Sequence, residues 1–299
     1  MKESERTGKT IIVNHKTHMN QDSVVLITGA NSGIGKAASL ELAKTGATIV
    51  MLCRDRQRGE DALKEVRIAS GSKNVELMLC NLASFKSIRN FAEEFKKRYQ
   101  KLHVLINNAA VIQPGYHLTA DGIELQFGVN HLGHFLLTHE LLNLMIASAP
   151  ARIINVSSGA HKWGKIDFED INFVKKFSFW RAYGRSKLAN VLFTYELARR
   201  LNDKNIAANC LHPGAVATQL GINRDTGFGK IITGLLKPFF RTPAQGAETL
   251  IYLATQSENL KLTGQYFANK KPEASSPISY DKELATKLWE VSEKLTGIG

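Results

Sequence analysis

The chain has 299 residues, of which 43% are hydrophobic and 22% are charged, and these proportions are typical of a folded globular protein rather than a disordered or collagen-like chain. The 39 basic and 27 acidic residues give a formal net charge of +12, which favours anionic ligands without naming one. The basic residues are spread along the chain, and the sequence lacks helix-turn-helix, zinc-finger and RNA-binding signatures, so it argues against a nucleic-acid partner.

The first 22 residues are polar and contain one short apolar run, Ile11 to Val13. This run is too short for the apolar stretch of a signal peptide or a membrane span. We interpret residues 1–22 as an extension. No linker, low-complexity tract or repeat divides residues 23–299, which we interpret as one domain.

After the extension, short apolar runs alternate with longer amphipathic ones. The candidate strands begin at Val24, Ala47, Val75, His103, Arg152, Ile206 and Gly264, and helices are predicted from about Gly33 and after Asp55. Strands rich in valine, isoleucine and leucine that alternate with helices indicate a mostly parallel sheet covered on both faces. We therefore predict a single-domain α/β fold of the Rossmann type, with about seven strands in a doubly wound parallel sheet and a ligand at the carboxyl ends of the strands.

The first strand runs directly into TGANSGIG, residues 28–35, at its turn into a helix. Glycine lets the backbone approach a pyrophosphate, and the helix N-terminus offers unpaired N–H groups and a positive dipole end. The spacing G-x-x-x-G-x-G differs from the commonest dinucleotide fingerprint, G-x-G-x-x-G, so a glycine-rich turn without a ligand is the alternative.

The second strand ends in MLCRD, where Cys53 and Arg54 stand in place of the acid that usually binds the adenosine ribose. A guanidinium can pair with a 2'-phosphate through a fork of donors, so Arg54 favours NADP over NAD. Asp55 follows directly and counts against this preference. The alternative is that Arg54 is an exposed charge at a strand end.

The cysteines, Cys53, Cys80 and Cys210, each close an apolar strand-like run, and none belongs to a C-x-x-C pair. This placement is typical of structural thiols in a reducing compartment. It gives no indication of a metal site.

Tyr183 and Lys187 lie four positions apart in AYGRSKLAN. On a helix this spacing puts both side chains on one face. A free tyrosine has a pKa of about 10, and a cation held nearby favours the phenolate, which brings proton exchange within reach of neutral pH. The alternative is an ordinary surface pair.

The glycine motif is followed in order by Asn107 to Ala110, Asn130, Ser157 with Ser158, and Tyr183 with Lys187. With these residues in this order, the chain from about Val24 to its C-terminus resembles a short-chain dehydrogenase/reductase. The longer runs TADGIELQFGVNHLGHFLLT, AYGRSKLANVLFT and LWEVSEKLTGI resemble the retinol dehydrogenase branch of that family.

The resemblance implies a catalytic set of Asn130, Ser158, Tyr183 and Lys187. Tyr183 would be the acid/base, and Lys187 would lower its pKa and bind the nicotinamide ribose. Ser158 would hold the substrate oxygen, Ser157 would be structural, and Asn130 would anchor a water in the proton relay. These roles suit hydride transfer to a carbonyl, because charge builds on the oxygen and needs donors already in place.

The resemblance also implies which residues contact NADP(H). They are Gly29, Asn31, Ser32, Gly33, Ile34 and Gly35 at the phosphates and adenosine, Arg54 at the 2'-phosphate, Asn81 and Leu82 at the adenine, Asn108 and Ala109 at the central ribose, Tyr183 and Lys187 at the nicotinamide ribose, and Pro213, Gly214, Val216 and Thr218 at the nicotinamide end. Two residues depart from the family pattern: Asn81 replaces an aspartate, and Ala110 replaces a glycine.

Two segments are candidates for the substrate side. The insertion between Ser158 and Tyr183 is rich in aromatic residues, namely Trp163, Phe168, Phe173, Phe177, Phe179 and Trp180. We expect these residues to shape an apolar substrate entrance, with ordinary loop packing as the alternative. A segment from about 214 to 245 mixes apolar and basic residues, which is typical of a substrate lid or of a segment that lies on a bilayer.

We therefore expect an NADP(H)-dependent oxidoreductase that interconverts an apolar aldehyde or ketone and its alcohol; retinal or a long-chain aldehyde is what the resemblance suggests. The alternatives are an NAD-dependent alcohol dehydrogenase and a cofactor-sensing regulatory protein without turnover. The polar extension indicates a cytoplasmic protein with peripheral membrane contact as an option. The apolar helices around Asn130 and Tyr183 could form a homodimer interface.

Overall fold

The computed structural model describes residues 19–216 and 241–298. Its strands are β1 (Val24–Thr28), β2 (Thr48–Cys53), β3 (Val75–Leu79), β4 (Val104–Asn107), β5 (Ala151–Val156), β6 (Ile206–Leu211), β7 (Tyr266–Ala268) and β8 (Lys271–Pro272). The first seven lie where the apolar runs predicted them. The sequence analysis missed β8 because a two-residue strand carries no periodicity, and its turn uses Asn269 and Lys270 at φ 51° and 62° in place of glycine.

The helices are α1 (Gly33–Ala43), α2 (Arg56–Ser70), α3 (Phe85–Arg98), α4 (Leu125–Phe127), α5 (Gly133–Ala147), α6 (Phe179–Arg200), α7 (Pro243–Thr255) and α8 (Lys282–Thr296). A π-helical turn, Gly128–Leu132, joins α4 to α5. Short 3-10 turns span Gly159–Trp163, Ser257–Lys261 and Pro277–Tyr280. Within the described part of the chain, no helix is both long and apolar enough to cross a bilayer.

The sheet order is β3-β2-β1-β4-β5-β6-β7-β8. The strands are parallel from β3 to β7, and β8 pairs antiparallel with β7. The chain first builds outward from β1 to β3 and then crosses to β4 on the other side of β1. The predicted doubly wound α/β fold is confirmed, and this reversal between β1 and β4 marks the edge where ligands of such sheets bind.

The sheet separates two apolar layers. Val25 and Ile27 of β1 point toward α1, α2 and α7, whereas Leu26 between them joins the layer of α3, α5, α6 and α8. Each fully buried aliphatic side chain of this kind contributes about 1.5–3 kcal/mol relative to an exposed one. Met19 also packs into the core, although it lies inside the stretch predicted as an extension.

Helix α8 lies across α5 and α6. The ring of Trp289 is 5.0 Å from that of Phe135 on α5 and 5.8 Å from that of Phe193 on α6. Trp289 of the same chain thus covers part of the apolar surface of these two helices. The homodimer interface around Asn130 and Tyr183 stays a prediction.

Candidate active site

A cleft of about 450 Å³ lies at the carboxyl ends of β1, β2, β4 and β5. The predicted residues that line it are Gly29, Asn31, Ser32, Gly33, Ile34, Gly35, Arg54, Asn81, Leu82, Asn108, Ala109, Ser158, Tyr183, Lys187, Pro213, Gly214 and Val216. Asn130 does not line the cleft, and Thr218 lies outside the described residues. The fold thus gathers one continuous site from motifs that are spread over most of the chain.

One end of the cleft is a backbone cradle. A Cβ atom on Gly29, whose φ is +67°, would lie 2.9 Å from the Cα of Ala109, and a Cβ on Gly35 would lie 2.4 Å from the carbonyl oxygen of Gly29. These positions therefore require glycine. Ser32 caps α1 without a side-chain hydrogen bond, and the first turn of α1 carries no acidic residue. This open helix N-terminus fits the pyrophosphate of a dinucleotide.

The end of the cleft where the resemblance predicts the adenosine, here called the adenosine end, carries two guanidinium groups. Arg54 follows β2, and Arg58, which the sequence analysis did not identify, reaches the same cleft from the first turn of α2. The carboxylate of Asp55 accepts the backbone N–H of Arg58 at 2.9 Å and so caps α2. The signal for Arg58 was present in the run RDRQR, where a capping aspartate at the strand end predicts a helix whose first turn faces the same site.

Thr28 and His134 hold the loop that follows β4. The hydroxyl of Thr28 accepts the backbone N–H groups of Asn108 and Ala109, both at 2.9 Å. Nδ1 of His134 lies 3.1 Å from the carbonyl oxygen of Asn130, so it donates, and Nε2 at 2.9 Å then accepts from Thr28. Burial lowers the pKa of His134 to about 4, which keeps this ring neutral. The sequence analysis did not identify either residue.

The structure brings Ser158, Tyr183 and Lys187 together at the other end of the cleft. Ser158 follows β5, its hydroxyl accepts the backbone N–H of Ala160 at 3.2 Å, and its proximity lowers the pKa of the Tyr183 phenol. Lys187 is 2% exposed and lies one turn after Tyr183 on α6, with Nζ 5.6 Å from the centre of the tyrosine ring. Its Nζ donates to the carbonyl oxygen of Val156 at 3.0 Å.

Ser157, for which a structural role was predicted, joins the end of β5 to α6. Its hydroxyl donates to the backbone carbonyl of Lys187 at 2.8 Å and is buried. This bond ties the end of β5 to the middle of α6. The two elements that carry Ser158 and Tyr183 are therefore fixed relative to each other.

Burial governs the proton equilibria of the site. It raises the pKa of the Tyr183 phenol, and hydrogen bonding with Ser158 lowers that pKa only in part. Burial also lowers the pKa of Lys187 to about 7. The effect of Lys187 on the pKa of Tyr183 stays a prediction. The net upward shift favours a protonated phenol at neutral pH, which is the state that a proton donor needs.

Asn130 lies outside the cleft and supports the helical turn that carries Tyr183. It is fully buried in the π-helical turn, its Oδ1 accepts the N–H of Val111 at 2.7 Å, and its Nδ2 donates to the carbonyl of Val111 at 2.9 Å. Nδ2 also donates at 3.0 Å to the hydroxyl of Ser186, which donates to the carbonyl of Tyr183 at 2.8 Å. The side chain thus braces the turn of Tyr183, and its role in anchoring a water stays a prediction.

The aromatic residues of the insertion were expected at the substrate entrance, which stays a prediction. None of the six lines the cleft. Phe173 packs on the guanidinium of Arg185, 5.0 Å from the ring centre, and Arg185 forms a buried ion pair with Glu124 at 3.0 Å. Trp163 and Trp180 remain 57% and 58% exposed. Packing of the loop against α6, which was the alternative interpretation, explains the contacts of Phe173.

The predicted lid, from about 214 to 245, is described only at its two ends. Val216 pairs with Arg241 in a parallel bridge, and the N–H of Arg241 donates to the carbonyl of Ala215 at 2.8 Å. The two ends therefore meet beside Gly214, at the wall of the cleft. Residues 217–240, which contain the apolar and basic mixture, lie outside the described part.

Comparisons with known proteins identify the family of the chain. The family model for short chain dehydrogenases matches residues 23–227. Retinol dehydrogenase 14 of Homo sapiens is 45% identical over 295 residues, covering 92% of this chain and 86% of that protein. Retinol dehydrogenase 13 of Mus musculus is 46% identical over 281 residues, with coverages of 92% and 84%.

Solved structures show the same fold. An uncharacterized protein from Mycobacterium paratuberculosis is 35% identical, with a TM-score of 0.74 and coverage of 92% of this chain and 93% of that one. A short chain dehydrogenase from Shigella flexneri complexed with NADP is 21% identical, with a TM-score of 0.67 and coverages of 85% and 98%. Because the family model spans more than half of the chain and the relatives are similar along nearly all of it, the chain belongs to the short-chain dehydrogenase family of oxidoreductases.

Proposed function

We propose that the protein is an NADP(H)-dependent oxidoreductase that interconverts an apolar aldehyde or ketone and the corresponding alcohol. The observation that carries this proposal is the meeting of Ser158, Tyr183 and Lys187 in a cleft whose other end is a glycine cradle. A bound nicotinamide supplies or accepts the hydride. The chain's own residues must bind the oxygen of the substrate and move its proton.

In the reductive direction, Ser158 and Tyr183 act on the carbonyl oxygen. The Ser158 hydroxyl accepts from the N–H of Ala160, so its proton can be donated to the substrate. Tyr183, whose pKa burial raises, holds the proton that the developing alkoxide needs. Preorganised donors of this kind stabilise charge that appears only in the transition state.

Lys187 completes this proton site. Its Nζ has one hydrogen-bond partner among the described residues, the Val156 carbonyl, and an ammonium carries three donors. The remaining donors can bind a ribose hydroxyl. When Tyr183 gives up its proton, the phenolate favours the charged form of the nearby lysine.

The preference for NADP(H) is supported by the charges at the adenosine end. Arg54 and Arg58 both line the cleft there, and the carboxylate of Asp55 is used to cap α2. Two guanidinium groups suit a 2'-phosphate, which can accept a fork of hydrogen bonds. Asp55, whose carboxylate counted in favour of NAD, therefore also has a structural role as the cap of α2.

The substrate class is supported by the relatives. They are named retinol dehydrogenases, and retinol is an apolar alcohol whose oxidation gives an aldehyde. Retinal or another long-chain aldehyde is therefore the substrate that we propose to test first. A small substrate of this kind needs no nucleic-acid partner.

Peripheral contact with a bilayer is supported by the insertion. Trp163 and Trp180 are exposed, and the exposed Lys162 and Arg181 are their chain neighbours. Tryptophan with flanking basic residues is typical of protein surfaces at membrane interfaces. We expect the protein to float with anionic vesicles and the Trp163→Ala/Trp180→Ala variant to float less. Wild-type protein that stays away from the vesicles would contradict the contact.

The experiment that tests the proposed function is the consumption of NADPH and of NADH against retinal, medium- and long-chain aldehydes, steroids and quinones. Turnover that prefers NADPH supports the proposal and begins to name the substrate. Turnover that prefers NADH would instead support an NAD-dependent alcohol dehydrogenase. Tight cofactor binding with no turnover on any compound would support a cofactor-sensing regulatory protein.

A further inference from the structure

We propose that His161 is a positioning residue for Ser158, and that it couples this serine to the loop Ser275–Tyr280 near the C-terminus. The inference rests on the proposed function, in which Ser158 binds the substrate oxygen. His161 itself would touch neither substrate nor cofactor. His161 does not line the cleft. It lies in the 3-10 turn Gly159–Trp163, whose first residue follows Ser158 directly.

The hydrogen bonds of His161 fix its tautomer. The ring is fully buried, and Nε2 lies 3.0 Å from the backbone nitrogen of Ser276. A backbone N–H can only donate, so Nε2 accepts and the ring proton of neutral histidine sits on Nδ1. Nδ1 lies 2.7 Å from the backbone carbonyl of Ser158, so this N–H donates to the residue that is to bind the substrate oxygen.

The Nδ1 bond closes the turn that orients the serine hydroxyl. The carbonyl of Ser158 accepts both the backbone N–H and the ring N–H of His161, while its hydroxyl accepts the N–H of Ala160. His161 holds the carbonyl of Ser158 and Ala160 holds its hydroxyl. The serine side chain therefore has a defined direction into the cleft. Loss of the ring N–H would leave this turn held by the backbone alone.

The Nε2 bond connects the turn to a second network. Ser275, next to Ser276, hydrogen-bonds the hydroxyls of Tyr195 at 2.7 Å and Ser279 at 2.6 Å. Tyr195 lies on α6, the helix that also carries Tyr183. The loop is therefore bonded to α6 on one side and, through His161, to Ser158 on the other. This arrangement gives the two catalytic hydroxyls a common support.

The positioning role requires a ring that donates a hydrogen bond to Ser158 through Nδ1 and accepts one from Ser276 at Nε2. The ring of Tyr266 packs against the imidazole at 4.9 Å and limits its rotation. Asparagine places an amide group where imidazole has Nδ1, and glutamine places one where it has Nε2. Each substitution therefore keeps one of the two hydrogen bonds and removes the other.

The test compares His161→Asn with His161→Gln on a carbonyl that the wild-type enzyme reduces. We expect both variants to melt at a lower temperature, because each loses one buried bond. His161→Gln, which loses the donor to Ser158, should lower kcat by about 10- to 100-fold with unchanged affinity for NADPH. His161→Asn, which keeps that donor, should retain kcat within about three-fold.

Equal losses of kcat in the two variants, or wild-type kcat in His161→Gln, would overturn the positioning role. A second readout does not depend on turnover: ¹⁵N NMR of histidine-labelled enzyme should show the His161 proton on Nδ1, with the resonance assigned by its loss in His161→Gln. A proton on Nε2 would overturn the inference even in an active enzyme. Absence of wild-type turnover would overturn the proposed function and the role derived from it, whereas the NMR would still report whether the bond exists.

Discussion

The two ends of the cleft are built in different ways. At the adenosine end, the backbone of residues 28–35 and the charges of Arg54 and Arg58 come from two neighbouring strand-to-helix turns. At the catalytic end, Ser158, Tyr183 and Lys187 are held by buried hydrogen bonds that join β5, α6 and the C-terminal loop. The residues of the first end are thus mostly recognisable from local sequence, although Gly29 also packs against Ala109, whereas those of the second end are held by contacts between distant segments.

This difference predicts how each end responds to substitution. A change at the adenosine end should alter one ligand contact, because its charged side chains are partly or fully exposed. A change at the catalytic end should alter a buried group whose partners lie elsewhere in the chain. Substitutions should therefore have large effects on chemistry or stability at the catalytic end and smaller effects on affinity at the adenosine end.

The largest effect is expected from Tyr183→Phe. Removal of the proton donor should lower kcat by about 10²- to 10⁴-fold, since this is the usual contribution of a positioned acid or base. Affinity for NADPH should stay close to wild type, because the adenosine end is untouched. Steady-state kinetics and cofactor titration measure both quantities. Tyr252→Phe on α7 is the matched control, and a Tyr183→Phe enzyme with near wild-type turnover would remove Tyr183 from its role.

The next effect concerns Lys187 and pH. Its pKa is about 7 in the fold and 10.5 as a free group, so between these values the unfolded chain holds a proton that the folded chain does not. The contribution to stability is therefore complete above about pH 10.5 and is lost as pH falls to about 7. The free energy of unfolding of wild type minus that of Lys187→Met should rise with pH, by about 1.4 kcal/mol for each unit within this window.

The quantity to follow is the free energy of unfolding of wild type minus that of Lys187→Met at each pH. The raised pKa values of buried tyrosines and cysteines lower the stability of both proteins above about pH 9, and the subtraction removes this shared effect. Urea unfolding from pH 7 to 9.5 measures this difference. Lys64→Met, at an exposed position of α2, should show no such trend. A flat difference for Lys187→Met would mean that the folded lysine keeps its ordinary pKa.

A smaller effect, on cofactor choice, is expected from Arg54→Asp. The carboxylate should repel a 2'-phosphate and accept ribose hydroxyls, so the ratio of NADPH to NADH affinity should fall by about 10- to 100-fold. Arg56→Asp is the matched control, because Arg56 lies two residues away, pairs with Glu60 and does not line the cleft. If the ratio of NADPH to NADH affinity does not change in Arg54→Asp, then either Arg58 binds the 2'-phosphate or the enzyme does not prefer NADP(H).

The same contrast explains what the sequence could and could not predict. The strands, the glycine cradle and the pairing of Tyr183 with Lys187 follow from periodicity and short spacings. Nothing in the spacing of His134 or His161 shows that each ring would bridge two distant segments. The burial that raises the pKa of Tyr183 is likewise a property of packing. Charge type alone therefore gives no measure of how strongly burial acts on that pKa.

The smallest effect is expected from Asn81→Asp. This substitution introduces the aspartate that the family pattern has at this position. Oδ1 of Asn81 accepts the N–H of Ala83 at 3.1 Å, and a carboxylate can keep this bond while its second oxygen accepts from the adenine amino group. One added hydrogen bond should tighten NADPH binding by about two- to ten-fold. Fluorescence titration measures the change, and Asn74→Asp, at the exposed position just before β3, is the control. Weaker binding in Asn81→Asp would mean that repulsion between the new carboxylate and the cofactor phosphates outweighs the added bond, and that charge, more than hydrogen-bond geometry, governs the adenosine end.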